Sequence, residues 1–163
     1  MKADFRDRLQ DIPPSATTEQ TPSRGAATRP HAVSHGDDRR SRGLRTLADI
    51  TGDSGAAVVQ DLRDIAPDLA DWIVDFSYGD VMARPGLDRR TRQLATISAL
   101  TALGNAQPQL KVHIQGALNV GCRPQEIIEV IMQMTVYCGF PAALNALAVA
   151  REVLLTRHPA GAR

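Results

Sequence analysis

Apolar residues recur at helical spacing through most of the chain that follows residue 44. Between residues 108 and 121, Leu110, Ile114 and Ala117 lie three or four positions apart, which places them on one face of a helix. No segment shows the sustained alternation of apolar and polar residues that is typical of a half-buried strand. The pattern therefore predicts an all-α fold of about six helices.

Two of the predicted helices lie before residue 80. The apolar stripe of the first consists of Val58, Val59, Leu62, Ile65 and Ala66. The second begins at Pro67, and its stripe consists of Leu69, Trp72, Ile73 and Phe76. The next segment, YGDVMARPGLD, contains glycine and proline and is predicted to be a loop.

The remaining helices are delimited by residues that favour helix ends. Asp88 is a predicted N-cap and Gly104 a predicted C-terminal stop, so a helix is expected between them. Pro108, Pro124 and Pro141 each stand where the first turn of one of the last three helices is expected.

The composition of the chain changes near Leu44. Within residues 1–43, the stretch 13–43 is rich in Pro, Ser, Thr, Gly and charged residues and has almost no large apolar side chain. Such a segment buries too little apolar surface to offset the entropy lost on ordering. Residues 1–43 are therefore predicted to be a disordered N-terminal arm, and residues 44–163 a single helical domain. The arm is interpreted as a solvated tail, and docking of its basic residues on a partner is the alternative.

The overall composition argues against several classes of protein. The formal net charge is +1, which does not favour a nucleic-acid partner. No apolar run approaches the roughly 20 residues of a membrane span, and the N-terminal segment lacks the apolar core of a secretory signal. The two cysteines, Cys122 and Cys138, do not suggest a disulfide scaffold. A cytoplasmic protein that binds neither nucleic acid nor membrane is therefore expected.

A few side chains are candidates for chemistry. His113 lies on the apolar stripe of its helix, where the alternative to catalysis is a core histidine that a neighbour satisfies by a hydrogen bond. Cys138 lies on an apolar stripe too, and a small hydrophobic role is its alternative. Arg84 and Arg92 either bind a carboxylate or are solvated, and Tyr137 is a polar group near a helix end. No HExxH motif, phosphate-binding loop or zinc-spaced cluster occurs, so no metal or cofactor site is predicted.

Three longer segments stand in a fixed order: YGDVMARPGLDRRTRQLATISALTALG, LKVHIQGALNVG and EIIEVIMQMTVYCGFPAALNA. Together they resemble the 4-carboxymuconolactone decarboxylase family, a branch of the alkylhydroperoxidase-D-like superfamily. The resemblance extends from about Trp72 to Leu155. It implies an all-α fold and a homo-oligomer, either a trimer or a hexamer.

The resemblance also distinguishes two branches of this superfamily. The peroxidase branch has a CxxC pair ahead of a histidine and a glutamate on the preceding helix. If His113 corresponds to that histidine, the cysteine positions are Ala106 and Gln109, and the glutamate position is near Gln93. A thiol peroxidase needs both thiols and the proton relay. The resemblance therefore implies the decarboxylase branch.

The implied reaction is decarboxylation of 4-carboxymuconolactone to 3-oxoadipate enol-lactone in aromatic catabolism, without a cofactor. The substrate is its own electron sink, because the departing carboxylate is vinylogous to the lactone carbonyl. The resemblance implies His113 as proton source or oxyanion donor, with Tyr137 as a second donor and Cys138 lining the pocket. Arg84 and Arg92 would bind the substrate carboxylate. The alternatives are a related enzyme acting on another small acid or lactone in biosynthesis, and a non-catalytic oligomeric scaffold.

Overall fold

A computed structural model describes residues 38–157, and this part of the chain contains helices and no strand. Its helices are α1 (Arg39–Thr51), α2 (Asp53–Asp61), α3 (Pro67–Trp72), the π-helix Ile73–Met82 that continues α3, α4 (Arg89–Leu103), α5 (Gln107–Asn119), α6 (Pro124–Gln133) and α7 (Thr135–Arg157). The predicted all-α fold is confirmed for these residues.

The predicted helix ends are largely correct because they depend on local chemistry. The Asp88 carboxylate accepts a hydrogen bond from the Thr91 backbone N–H at 2.9 Å and so caps α4. Gly104 ends α4 with φ of 72°, in the left-handed region that favours glycine. Pro108 lies in the first turn of α5 and Pro124 in the first turn of α6, as predicted.

The first helix begins before the domain boundary predicted from composition. α1 starts at Arg39, whereas the boundary was placed at Leu44. The Asp38 carboxylate caps it by accepting from the Ser41 backbone N–H at 2.7 Å. Three arginines near this helix start form ion pairs: Arg39 with Asp80, Arg40 with Asp71 and Asp75, and Arg42 with Asp80. The boundary at Leu44 is therefore wrong, because charge pairing and a cap order a polar turn. Residues 1–37 of the predicted arm lie outside the described residues.

α1 packs against the π-helix through two glycines. A Cβ on Gly43 would lie 2.1 Å from the Val74 carbonyl oxygen, and one on Gly79 would lie 2.6 Å from that of Arg39. The two backbones therefore touch where only hydrogen fits. The π-helix extends to Met82, so the first part of the segment predicted as a loop is helical.

The π-helix also changes which side chains face the core. Leu69, Trp72 and Phe76 of the predicted stripe are 44%, 63% and 57% exposed, whereas Ala70 and Val74 are fully buried. The prediction that this stripe faces the core is therefore wrong for the single chain; the change of period after residue 72 bears on Phe76, whereas Leu69 and Trp72 lie in α3 itself.

The core consists of two apolar clusters. One is built from α4 to α7 and includes the predicted α5 stripe of Leu110, Ile114 and Ala117, which is buried as expected. The other is built from α1, α2, α3 and the π-helix, with Ile50 and Val74 fully buried. Helix α5 contacts both α1 and α4, so it carries its polar side chains to the boundary between the clusters.

The last helical segment is broken at Gly139, near Pro141, where the sequence predicted that a helix begins. α7 has 23 residues and, by length and composition alone, is apolar enough to cross a membrane, contrary to the expectation that no run reaches that size. Gly139 interrupts it with φ of 80° and ψ of 165°, and Pro141 follows. Its buried residues, Ala143, Ala146, Ala150 and Val153, all belong to the core cluster of α4 to α7. One face of α7 therefore packs in the core, while Val136, Phe140 and Leu144 are exposed on the single chain.

Candidate active site

His113 on α5 pairs with Gln93 on α4. The Nδ1 atom of His113 lies 3.0 Å from Oε1 of Gln93. Gln93 is 0% exposed, and its Nε2 has no hydrogen-bond partner among the described residues. A Cβ on Gly116 would lie 3.3 Å from the same Oε1, so this glycine leaves room for the amide. One ring nitrogen is thus satisfied by a neighbour, while Nε2 has no hydrogen bond within residues 38–157.

A cavity of about 370 Å³ lies against His113, and we call it the His113 cavity. Its lining is mainly apolar: Leu47, Gly55, Val58, Ile73, Met82, Pro108 and Val112. Its polar members are Ser77, Tyr78, Thr96, Gln109 and His113. An apolar cavity of several hundred Å³ with a few convergent polar groups is the usual form of a small-molecule site.

Four of the lining residues lie on the π-helix: Ile73, Ser77, Tyr78 and Met82. Ile73 and Tyr78 are five positions apart, and in an α-helix such residues diverge by about 140°. Here both residues lie in the π-helix, whose wider turns are closed by hydrogen bonds that span five residues, and they line the same cavity as Met82. The Ala83 backbone N–H, which donates to the Tyr78 carbonyl at 3.1 Å, closes the last of these turns. Such π-helical turns are frequent at functional sites.

Burial keeps the two titratable groups of the cavity uncharged at neutral pH. It lowers the pKa of His113 below its ordinary value of 6.5. Burial also raises the pKa of Tyr78 to about 12, although a hydrogen bond with the Thr51 hydroxyl acts in the opposite direction. The free cavity therefore presents a neutral imidazole and a phenolic O–H donor.

A second cavity, which we call the arginine cleft, has a volume of about 440 Å³ and shares Met82 with the first. Its charged lining residues are Arg42, Arg45, Arg84, Arg89, Asp49 and Asp88, so arginine is in excess over aspartate. The Arg84 guanidinium forms no hydrogen bond or ion pair with residues 38–157. Arg92 does not line the cleft; its Nη2 donates to the Arg84 carbonyl at 3.0 Å and holds this loop.

The other predicted site residues lie elsewhere in the single chain. Tyr137 is 75% exposed, and the Cys138 thiol donates to the Met134 carbonyl at 3.0 Å. Neither lines the His113 cavity, so their catalytic roles stay predictions. Cys122 lies in the loop between α5 and α6 and is buried in the core, and burial raises the pKa of its thiol, which makes it a poor nucleophile.

Sequence reasoning missed two members of the site. Gln93 was noted only as the position of the peroxidase glutamate. A glutamine in line with buried Ile97 and Thr101 on α4 nevertheless indicates a buried polar group that needs a hydrogen-bond partner. Tyr78 was missed because its segment was predicted to be a loop. Within residues 38–157, no three His, Cys, Asp or Glu side chains converge as a set that would hold a metal ion.

Known proteins match most of the part of the chain that forms this site. The model of the carboxymuconolactone decarboxylase family matches residues 67–152. The chain is 34% identical to 4-carboxymuconolactone decarboxylase of Acinetobacter baylyi over 118 residues, which are 72% of this chain and 87% of that protein. It is 31% identical to nitrosuccinic acid decarboxylase of Metarhizium robertsii over 115 residues, 69% of this chain and 78% of that protein.

A third relative is an uncharacterised 15.0 kDa protein of Paracoccus denitrificans, 37% identical over 93 residues, 56% of this chain and 69% of that protein. The two named relatives support a decarboxylase-type function. The matched region contains His113, Gln93, Tyr78 and Arg84. The resemblance found in the sequence is confirmed, and the chain belongs to the carboxymuconolactone decarboxylase family.

Proposed function

We propose that the protein is a carboxy-lyase that converts 4-carboxymuconolactone to 3-oxoadipate enol-lactone in the His113 cavity. The observation that carries this proposal is the His113 imidazole, which is bonded through Nδ1 to Gln93 and borders a mainly apolar cavity of about 370 Å³. The similarity to a named 4-carboxymuconolactone decarboxylase supports the choice of substrate.

The chemistry requires one bond to break and one proton to arrive. The bond between the ring carbon and its carboxylate breaks, CO₂ leaves, and the electron pair passes into the conjugated lactone as a dienolate. A proton added to the carbon next to the lactone carbonyl then gives the enol-lactone. No cofactor is proposed, because the lactone carbonyl itself accepts the electron pair.

His113 and Tyr78 suit the two remaining tasks. The carboxylates of the bound substrate raise the pKa of the imidazole, so His113 takes up a proton at Nε2 and delivers it to the dienolate. The Tyr78 hydroxyl stays protonated because its pKa is about 12. It can donate to the developing oxyanion, a role that a low-dielectric cavity strengthens.

Arg84 is proposed to bind the carboxylate that the substrate keeps. Its guanidinium lines the arginine cleft and lacks a partner within residues 38–157, and Met82 separates this cleft from the His113 cavity. A methionine side chain is flexible enough to let a substrate arm pass. Arg92 contributes by holding the Arg84 carbonyl in place.

A second substrate class is favoured by one observation. The chain is also similar to a nitrosuccinic acid decarboxylase. A nitro group stabilises a carbanion as a conjugated carbonyl does, so the same proton delivery by His113 would serve a small acid of that kind. A panel of both acids distinguishes the two candidates directly.

We also propose that the protein is a homo-oligomer, a trimer or a hexamer. Val136, Phe140 and Leu144 of α7 are 77%, 71% and 61% exposed, and Trp72 and Phe76 form a second exposed apolar surface. Large apolar patches on a protein surface usually mark interfaces. Light scattering tests this, and a mass near the 17.6 kDa of one chain would contradict it.

The proposed activity is tested with purified full-length protein and 4-carboxymuconolactone, by following CO₂ release and identifying the product by NMR. His113→Ala is expected to lower kcat by at least about 10², as loss of a positioned acid–base group does. Gln125→Ala is the control, because within the described part of the chain that exposed side chain bonds only to Glu129 on α6. No turnover by the wild type of either substrate class, or normal turnover by His113→Ala, would reject the proposal.

A further inference from the structure

The buried position of the Gln93 amide lowers the stability of the fold. The side chain is fully buried between α4 and α5, and its Nε2 has no hydrogen-bond partner among the described residues. A buried amide donor that makes no hydrogen bond destabilises the fold. An apolar side chain of similar size would fill this volume without that cost, so packing does not explain a glutamine here.

The contact that does explain the glutamine is the one with His113. Its Oε1 lies 3.0 Å from His113 Nδ1, and the absence of a side chain at Gly116 lets it stay over this face of α5. A carboxamide oxygen only accepts hydrogen bonds, so it requires a proton on Nδ1. The neutral ring then has no proton on Nε2.

We propose that Gln93 is a positioning residue that holds His113 in the Nδ1–H tautomer, so that Nε2 is the single ring nitrogen through which a proton passes to the substrate. This inference rests on the proposed function for its consequence in catalysis. Its structural content, the tautomer, is independent of any substrate.

A neutral acceptor has a different effect from a carboxylate at the same place. Both orient the ring, but a carboxylate would also favour the imidazolium in the empty enzyme. With the amide of Gln93, His113 stays neutral until a substrate brings negative charge into the cavity. Protonation of Nε2 is thereby coupled to binding of an anionic substrate, which selects for carboxylic acids over neutral lactones.

The other titratable groups around the ring do not replace this coupling. Among residues 38–157, Tyr78 is the only other titratable residue that lines the His113 cavity, and the lining residues of α1, α2 and α4 carry no charge. On α5, Lys111 is bonded to Glu152 of α7 at 2.5 Å. On α4, Arg92 is directed to the loop carbonyl of residue 84.

The tautomer is measured by long-range ¹H–¹⁵N NMR of the full-length, ¹⁵N-labelled protein without substrate. The chain has four histidines, and the spectrum of His113→Gln assigns the signal of His113 by difference. We expect the Nδ1–H tautomer in the wild type and in Gln93→Glu. In Gln93→Leu we expect a shift toward the Nε2–H tautomer, because no acceptor then faces Nδ1. Gln125→Leu is the matched control and leaves the signal unchanged.

Kinetics of the same variants give the second readout. Gln93→Leu is expected to lower kcat by roughly 10², within the contribution of a positioned acid–base group, with little change in KM. In the wild type, kcat/KM falls as pH rises through the pKa of free His113, because the reaction consumes a proton. Gln93→Glu raises that pKa and moves the fall to higher pH, whereas a residue with only a structural role would leave the profile in place.

The outcomes separate this inference from the proposed function. An Nε2–H tautomer in the wild type, or an unchanged tautomer in Gln93→Leu, overturns the inference. If Gln93→Leu does not fold, the direction of the pH shift in Gln93→Glu decides it: a shift to higher pH supports the inference and an unchanged profile overturns it. The expected tautomers together with no turnover of any carboxylic acid would leave the positioning role in place and reject the proposed function.

Discussion

The contact between α1 and the π-helix is the most sensitive point of the fold, and Gly43→Ala tests it. The added Cβ would lie 2.1 Å from the Val74 carbonyl oxygen and 2.9 Å from its carbon. Both are backbone atoms, which cannot rotate away as the end of a long side chain can. The substitution must therefore separate the two helices, and the π-helix forms one wall of the His113 cavity.

The magnitude follows from two opposing terms. Overpacking of a core contact costs about 1–3 kcal/mol, and a backbone clash of this depth belongs at the upper end. Alanine in place of glycine inside a helix stabilises the helix by about 1 kcal/mol because of its higher helix propensity. The net loss in the free energy of unfolding is therefore about 2 kcal/mol. For a chain of this size that corresponds to a fall in Tm of roughly 4–8 °C.

The assay is thermal and denaturant unfolding at one fixed protein concentration, combined with KM for the decarboxylated substrate. Gly86→Ala is the matched control, because a Cβ at that loop position has no neighbour within 4 Å among residues 38–157. We expect Gly43→Ala to lower Tm and raise KM while Gly86→Ala changes neither. If the two variants were equally stable, the close approach of α1 to Val74 would not be a feature of the protein in solution.

Three further predictions follow from the described contacts. A chain that starts at Asp38 should keep the thermal midpoint of the full-length protein in calorimetry. One that starts at Leu44 lacks the first turn of α1, so its midpoint should be several degrees lower. Equal midpoints for the two shortened chains would contradict this. Hydrogen bonds from the backbone of residue 123 and the side chain of residue 90 lower the pKa of Glu126 from 4.5 to about 2. Its stabilisation is present above pH 4.5 and is lost as pH falls toward 2, so Glu126→Gln should flatten the acid-unfolding profile in that window, and an unchanged profile would refute it. Arg84→Ala should raise KM about 10- to 100-fold with kcat nearly unchanged, as loss of a charge-assisted hydrogen bond implies; the opposite pattern in steady-state kinetics would move Arg84 out of substrate binding.

The parts of the site that could be predicted are those with a local or family signal. His113 was found because it lies on a helical stripe and within a recognisable segment, and the structure places it at a cavity. Arg84 was selected as a loop arginine near a proline, and it lines the adjacent cleft. Tyr137 and Cys138 were selected on the resemblance alone, and within one chain they line neither cavity.

By itself the sequence determined the all-α class, the family and most helix ends, because caps, prolines and glycines act within one turn of the backbone. Only the tertiary structure decided three things: the π-helical turn that brings Tyr78 to the cavity, the ordered start of α1, and the pairing of His113 with Gln93 across 20 residues. The start of α1 depends on its local cap and on ion pairs with the π-helix, and the other two depend on where two helices cross. Their crossing is set by close contacts between distant segments, such as the two glycines of α1 and the π-helix, and residue spacing along one helix does not encode it.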